Sequence, residues 1–301
     1  SPMTYVKPDE VLATAVDAGA TKASLSTTEM LVRGVLGGAI LACATTLAYQ
    51  ATVQTGQPVV GALVFPVGFV IIVLLGLELV TGSFALVPLA VLQGRASVRG
   101  MLRSFGLVLA GHVVGAAGYA AMYVAVVSRM GTDTENPLVA NLVQVAETKT
   151  LGYEALGASG LVLVFVKAVL CNWMVTLGVV MAMTSRSTGG KIVAMWLPVT
   201  TFFAQGFEHA VVNLFVVPAG MMLGADVTVG DWWLWNQLPV LAGNLVGGVL
   251  LTGLGLYWAH RRGLEALTGR AALTGDVTRG VVYGLLVTAV AGSDAWRITS
   301  Y

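Results

Sequence analysis

The chain has 301 residues, of which 56% are hydrophobic and only 10% charged, with a formal net charge of +1. Soluble domains carry about 25% charged residues, so this composition excludes an ordinary soluble globular protein and places the chain in a membrane. The near-zero charge offers no footprint for nucleic acid, and three histidines with two cysteines, none of them clustered, argue against a metal site.

Residues 8–24 predict an amphipathic helix with proline at an early position, lying along the membrane surface or against a neighbouring subunit. The first thirty residues are too polar for a cleavable signal peptide and form a separate N-terminal segment, 1–30. Six apolar stretches follow within residues 31–260, at 31–50, 60–92, 104–127, 158–184, 192–223 and 238–260. A helix needs about 20 residues to cross a bilayer. The second and fifth stretches are too long for one straight helix, and each carries a polar interruption. In the second it is Glu78-Leu79-Val80-Thr81-Gly82-Ser83; in the fifth it is Gln205-Gly206-Phe207-Glu208-His209. A proline follows each, Pro88 and Pro218.

Interrupted stretches at matching places in two halves predict an all-α integral membrane protein of six transmembrane helices. The halves form an inverted repeat with helices 2 and 5 broken. Non-helical backbone at membrane depth must be buried in protein or line a cavity, so the two breaks are expected to meet near the midplane. Cys43 and Cys171 fall inside apolar stretches and read as small core residues. The connection 128–157 reads as a long outer loop, and 261–301 as a cytoplasmic tail whose one apolar run, 281–292, is too short to span. Basic residues gather before stretch 1, after stretches 2 and 4, and at Arg261-Arg262, which puts both termini in the cytoplasm.

An ionisable pair inside a membrane stretch is costly, so Glu208 and His209 are expected to face a protein-lined pathway. His209 sits where the second half of stretch 5 begins. There a helix N-terminus offers unpaired N–H groups and partial positive charge to an anion; alternatively it is a neutral core histidine. Glu208 reads either as a site carboxylate or as a cap for loop N–H groups. Thr81, in the opposing break, can donate to an anion or to the His209 imidazole, and can equally start its half-helix as an N-cap. Phe65, Phe69, Leu79, Phe202 and Phe207 flank the breaks. They are either plain core or two dry constrictions that exclude water. Lys149 reads as an attractor of anions or as a loop lysine paired with Glu147 or Glu154. Lys167 lies within stretch 4 and must snorkel or pair. Asn172, Asn213 and Asn244 are polar within spans, where hydrogen bonds between helices are their usual use.

The segments Glu78-Leu79-Val80-Thr81, Leu170-Cys171-Asn172-Trp173-Met174-Val175, Gly206-Phe207-Glu208-His209 and Leu238-Pro239 followed by Gly243-Asn244 together resemble the formate/nitrite transporter family, in order and spacing over residues 8–260. The resemblance implies an aquaporin-like protomer in a homopentamer, with one pore per subunit and membrane lipid on the central axis. It also implies substrates that are small monovalent anions: formate, nitrite, hydrosulfide and, in some members, acetate or lactate. The family's central histidine falls on His209 and its loop threonine on Thr81. Its constrictions fall on Leu79 with Phe202 on the cytoplasmic side, and on Phe65, Phe69 and Phe207 on the outer side. Its vestibule lysine falls on Lys149, with Glu154 a second candidate because the stretch to Asn172 is longer than the family pattern.

The expectation is a bacterial inner-membrane channel or proton-coupled carrier, first for formate and next for nitrite, without cofactor and without catalysis. His209, Thr81, Lys149, Glu208, Asn172 and Asn213 form its transport site. A neutral-solute channel and an intramembrane enzyme using Glu208 and His209 are the readings from other classes. The chain lacks the paired Asn-Pro-Ala motifs of the first, and any nucleophile–base pair or metal cluster for the second.

Overall fold

The computed structural model describes residues 3–271, so the predicted run at 281–292 lies outside the described residues. Helix α1 is Pro8–Ser24, with Pro8 at its first turn. Helix α2, Thr27–Thr55, begins before the apolar run because Ser26 and Glu29 close a reciprocal capping box, and it ends at the left-handed Gly56. Helices α3 (Pro58–Val64) and α4 (Pro66–Leu74) meet at Phe65. The chain then turns and resumes as α5, Val80–Leu92. Helix α6 is Val98–Val127, capped by Ser97.

The predicted loop 128–157 instead holds two helices, α7 (Pro137–Thr148) and α8 (Leu151–Glu154). Asn136 caps α7 and Pro137 occupies its first position, while Leu138, Val139, Leu142 and Ala146 give it a buried stripe at helical spacing. Helix α9 is Ala158–Ala182. Helices α10 (Thr188–Ala204) and α11 (Ala210–Met222) flank the second break. The last helix, α12, runs unbroken from Val229 to Thr268. It starts ahead of the predicted 238 and carries the first part of the expected tail in helical form. It contains two π-helical segments, Trp233–Gln237 and Gly247–Leu254.

Helices α2, α6, α9 and α12 are long and apolar enough to cross a membrane, and α3–α4, α5 and α11 are shorter apolar helices. The short half-helices lie at the centre: every residue of α5 is buried, and α11 packs against α6 and α7. Helix α1 packs on α5 and α12 of its own chain, where the expectation was a membrane surface or a neighbouring subunit. Its buried face, Val11, Leu12, Ala15 and Val16, joins Leu86, Leu89 and Tyr257 in one cluster, and Asp17 pairs with Arg95 at 2.8 Å. Cys171 is buried as expected of a core residue, whereas Cys43 faces outward.

Candidate functional site

Each break is built on the same local plan. Gly76 and Gly206 hold left-handed backbone, φ 63° and 68°, a region open to glycine and strained for other residues. Two residues on comes a buried glutamate, Glu78 or Glu208. The next residue, Leu79 or His209, adopts extended backbone as the N-cap of the half-helix. The first break is therefore shorter than predicted: Thr81, Gly82 and Ser83 lie in the first turn of α5, and Leu79, not Thr81, is the cap.

A leucine cap offers no acceptor, so α6 supplies one. His112 Nε2 accepts the Val80 N–H at 3.0 Å, while His112 Nδ1 donates to the Gly34 carbonyl at 2.7 Å. In the second break His209 caps its own helix: Nδ1 accepts the Val212 N–H at 3.2 Å. Asn244 Oδ1 accepts the Ala210 N–H at 2.8 Å, and its amide donates to the carbonyls of Ala168 and Glu208. The helix N-termini are thus largely filled by side chains. Among the described residues, the Thr81 and Val211 amides are the early N–H groups of α5 and α11 that have no such partner.

His209 and Thr81 come together across the two halves. Thr81 Oγ1 lies 2.9 Å from His209 Nε2, with both residues buried. Because Nδ1 accepts from a backbone N–H, the neutral ring carries its proton on Nε2, and Nε2–H donates to the threonine hydroxyl. The Thr81 hydroxyl hydrogen is left to point elsewhere. Asn172 fixes this arrangement by donating from Nδ2 to the Thr81 carbonyl at 3.0 Å and to the Asn244 carbonyl at 2.5 Å.

Glu208 does not cap loop amides. Its own N–H donates to the Lys167 carbonyl at 3.3 Å, and its carboxylate binds Lys149 and accepts from Asn236 at 2.8 Å and Asn213 at 3.5 Å. Lys149 therefore pairs with Glu208 rather than Glu147 or Glu154, and Glu154 stands exposed at the end of α8. Lys167 lies over the Tyr153 ring at 5.6 Å. Burial and the nearby Glu208 carboxylate raise the Tyr153 phenol, in the connection outside the spans, above its ordinary value. The first π-helical segment of α12 allows neighbouring Asn236 and Gln237 both to turn inward, where Gln237 donates to the Ala210 carbonyl.

The first break repeats the ion pair, which the sequence did not reveal: Lys22, from α1, meets Glu78 at 2.5 Å. In each pair the ammonium is partly exposed and the carboxylate sealed behind it, 22% against 2% for Lys22–Glu78 and 18% against 1% for Lys149–Glu208. Each pair so presents its positive end outward.

A cavity of about 370 Å³ opens on the α1 side, lined among others by Lys22, Glu78, Leu79 and Phe69. This divides the aromatic set differently from the expectation. Phe69 sits one helical turn beyond Phe65 toward the first break and shares the cavity with Leu79, instead of facing the opposite side. Phe65 and Phe202 contact edge to face with centroids 5.6 Å apart, and the Phe202 ring lies over His209 at 5.8 Å. Phe207 is half-buried. The Phe202 ring thus covers one face of the His209 imidazole, and both partners of the His209–Thr81 contact are buried.

Residues 9–258 match a family described as formate/nitrite transporter. A probable formate transporter of Methanothermobacter thermautotrophicus is 38% identical over 246 residues, 76% of this chain and 88% of that protein. The formate channel BtFdhC of Bacillus thuringiensis is 28% identical over 266 residues, 86% of this chain and 98% of that protein. Among solved structures, an FNT family ion channel matches with TM-score 0.68 at 25% identity, over 83% of this chain and 98% of that one. A pentameric formate channel with formate bound shares the fold, with TM-score 0.65 at 24% identity over 78% of this chain and 98% of that one.

Proposed function

This chain belongs to the formate/nitrite transporter family, and we propose that it is a pentameric membrane channel or proton-coupled carrier for small monovalent anions, formate first. In this reading six spans form an inverted repeat in a bacterial inner membrane. Both termini lie on the cytoplasmic side, the side of Lys22, Arg95 and Arg103. The chain moves solute and performs no catalysis.

The observation that carries the reading is the polar contact between His209 and Thr81 at 2.9 Å, with both residues buried and the Phe202 ring over the imidazole. A bare anion entering such a region loses its hydration without an equal replacement, at a cost of several kcal/mol. The outward ammonium ends of Lys22–Glu78 and Lys149–Glu208 draw the anion to each mouth. Protonation then lets it cross as the neutral acid. The proton comes from vestibule water. A neutral imidazole that released its Nε2 proton would become an anion, and protonating Nδ1 would displace the Val212 N–H. His209 instead orients the Thr81 hydroxyl, whose hydrogen is offered to the passing carboxyl group.

Uptake of labelled formate into proteoliposomes, measured at several external pH values with nitrite, hydrosulfide and lactate as competitors, tests this. Lower pH raises the fraction of neutral acid, so uptake rises as pH falls, and anions of formate size compete. Uptake independent of pH sinks the neutral-acid step. Intact protein that moves none of these anions points to a neutral-solute channel.

A further inference from the structure

We propose that Arg33 captures planar, two-oxygen anions in the α1-side cavity, ahead of the constriction at Leu79. The inference rests on the channel reading above and adds a recognition site to it.

Arg33 lies on α2, half-buried, and lines the cavity with Lys22, Lys191 and Glu78. Its carbonyl accepts the Glu78 N–H at 3.4 Å, which fixes this residue against the first break. The other two cations are engaged. Lys22 is held by Glu78 at 2.5 Å, and Lys191 Nζ donates to the Ala182 carbonyl at 3.0 Å. Among the described residues, the Arg33 guanidinium forms no ion pair with a carboxylate and no hydrogen bond to a carbonyl. Three cations facing one carboxylate leave the cavity positive.

The chemistry of the free group narrows the ligand. A guanidinium presents two parallel N–H bonds that match two oxygens on one atom, as in a carboxylate or nitrite. A single-centre anion such as hydrosulfide engages it only as a charge. The corresponding residue of the second half, Lys167, has a carbonyl that accepts the Glu208 N–H at 3.3 Å, but its ammonium is placed over the Tyr153 ring. The two halves are therefore unlike at this matched position, a free guanidinium on the α1 side and an occupied ammonium on the other.

The test compares wild type, Arg33→Lys and Arg33→Leu in sealed membranes, with labelled formate or hydrosulfide supplied to each face in turn. Arg33→Lys keeps the charge and removes the fork, and it serves where Arg33→Leu fails to fold. The expected result is a rise of about tenfold in half-saturation for formate from the α1 face in Arg33→Lys, with hydrosulfide little changed. Half-saturation equal to wild type in Arg33→Lys overturns the inference, as does an equal rise for both anions from both faces. Wild-type membranes that carry neither anion refute the channel reading itself, which separates the two failures.

Discussion

His112 and His209 both accept a backbone N–H at the start of a half-helix. They differ in where the second ring nitrogen donates, to the Gly34 carbonyl for His112 and to the Thr81 hydroxyl for His209. His112 thus bonds to backbone alone, whereas His209 also reaches the opposing break, the contact on which the proposed transport role rests. Asn244 fills the place of His112 in the second half, so His112→Asn keeps an acceptor for Val80 and retains transport with its pH profile. His112→Leu strands the Val80 N–H, at about 1–3 kcal/mol, while the Gly34 carbonyl keeps its bond within α2, and it lowers the thermal midpoint of the detergent-solubilised protein. A His112→Asn protein with an altered pH profile contradicts the assignment. His209→Asn behaves the opposite way: asparagine is a good N-cap, so the fold survives, but its shorter amide falls short of Thr81, which the imidazole Nε2 reaches, and formate uptake falls. His209 was legible in the sequence because it interrupts an apolar run. His112 was not, because it sits in an unbroken helix and caps a residue 32 positions away. Lys22 was hidden likewise, 56 positions from Glu78. One signal was available: Gly76-Leu77-Glu78-Leu79 and Gly206-Phe207-Glu208-His209 share a Gly-x-Glu pattern, so a lysine found for one glutamate calls for a lysine at the other.

At the scale of elements, hydropathy located the helices and side-chain caps set their ends. The apolar run beginning at 31 marks α2, but the Ser26–Glu29 box starts it at Thr27. The predicted 128–157 loop hid α7 because its stripe is short and bounded by polar residues, although Asn136-Pro137 is a start signal. What holds long apolar helices together in lipid is close approach at small residues, since burial from water no longer drives association. The α2–α6 pair shows this at Gly115, where an added Cβ would stand 2.0 Å from the Val35 carbonyl oxygen. Gly115→Leu therefore forces the helices apart. Overpacking of this kind costs about 1–3 kcal/mol or more, and the expected result is a lower thermal midpoint with loss of protein from the membrane. Gly106 lies on the same helix, where an added Cβ would meet nothing within 4 Å. Gly106→Ala should leave the midpoint unchanged or raise it. Equal effects from the two substitutions would show that helix propensity, and not the α2–α6 approach, governs the pair.

The whole molecule contains both breaks, both ion pairs and the His209–Thr81 contact within one chain. None of these groups waits for a second copy. The outer surface does: Val59 and Leu63 on α3, Val114, Met122 and Val126 on α6, and Val162 and Val166 on α9 are all exposed and apolar. Lipid or neighbouring copies must cover them. Assembly and conduction are therefore separable, and the proposed pentamer makes a quantitative prediction. Leu79→Trp fills the proposed α1-side constriction, where Leu79 lines the cavity, without touching these outer faces. Co-expressed with wild type in varied ratios, it enters mixed oligomers whose native mass corresponds to five chains. If each subunit conducts through its own pathway, formate uptake falls in direct proportion to the blocked fraction. If the subunits instead share one central pathway, a plug buried inside each chain does not reach it, and uptake stays at the wild-type level whatever the ratio. Linear loss is the expected result, because the groups that would attract, orient and pass the anion all belong to one chain.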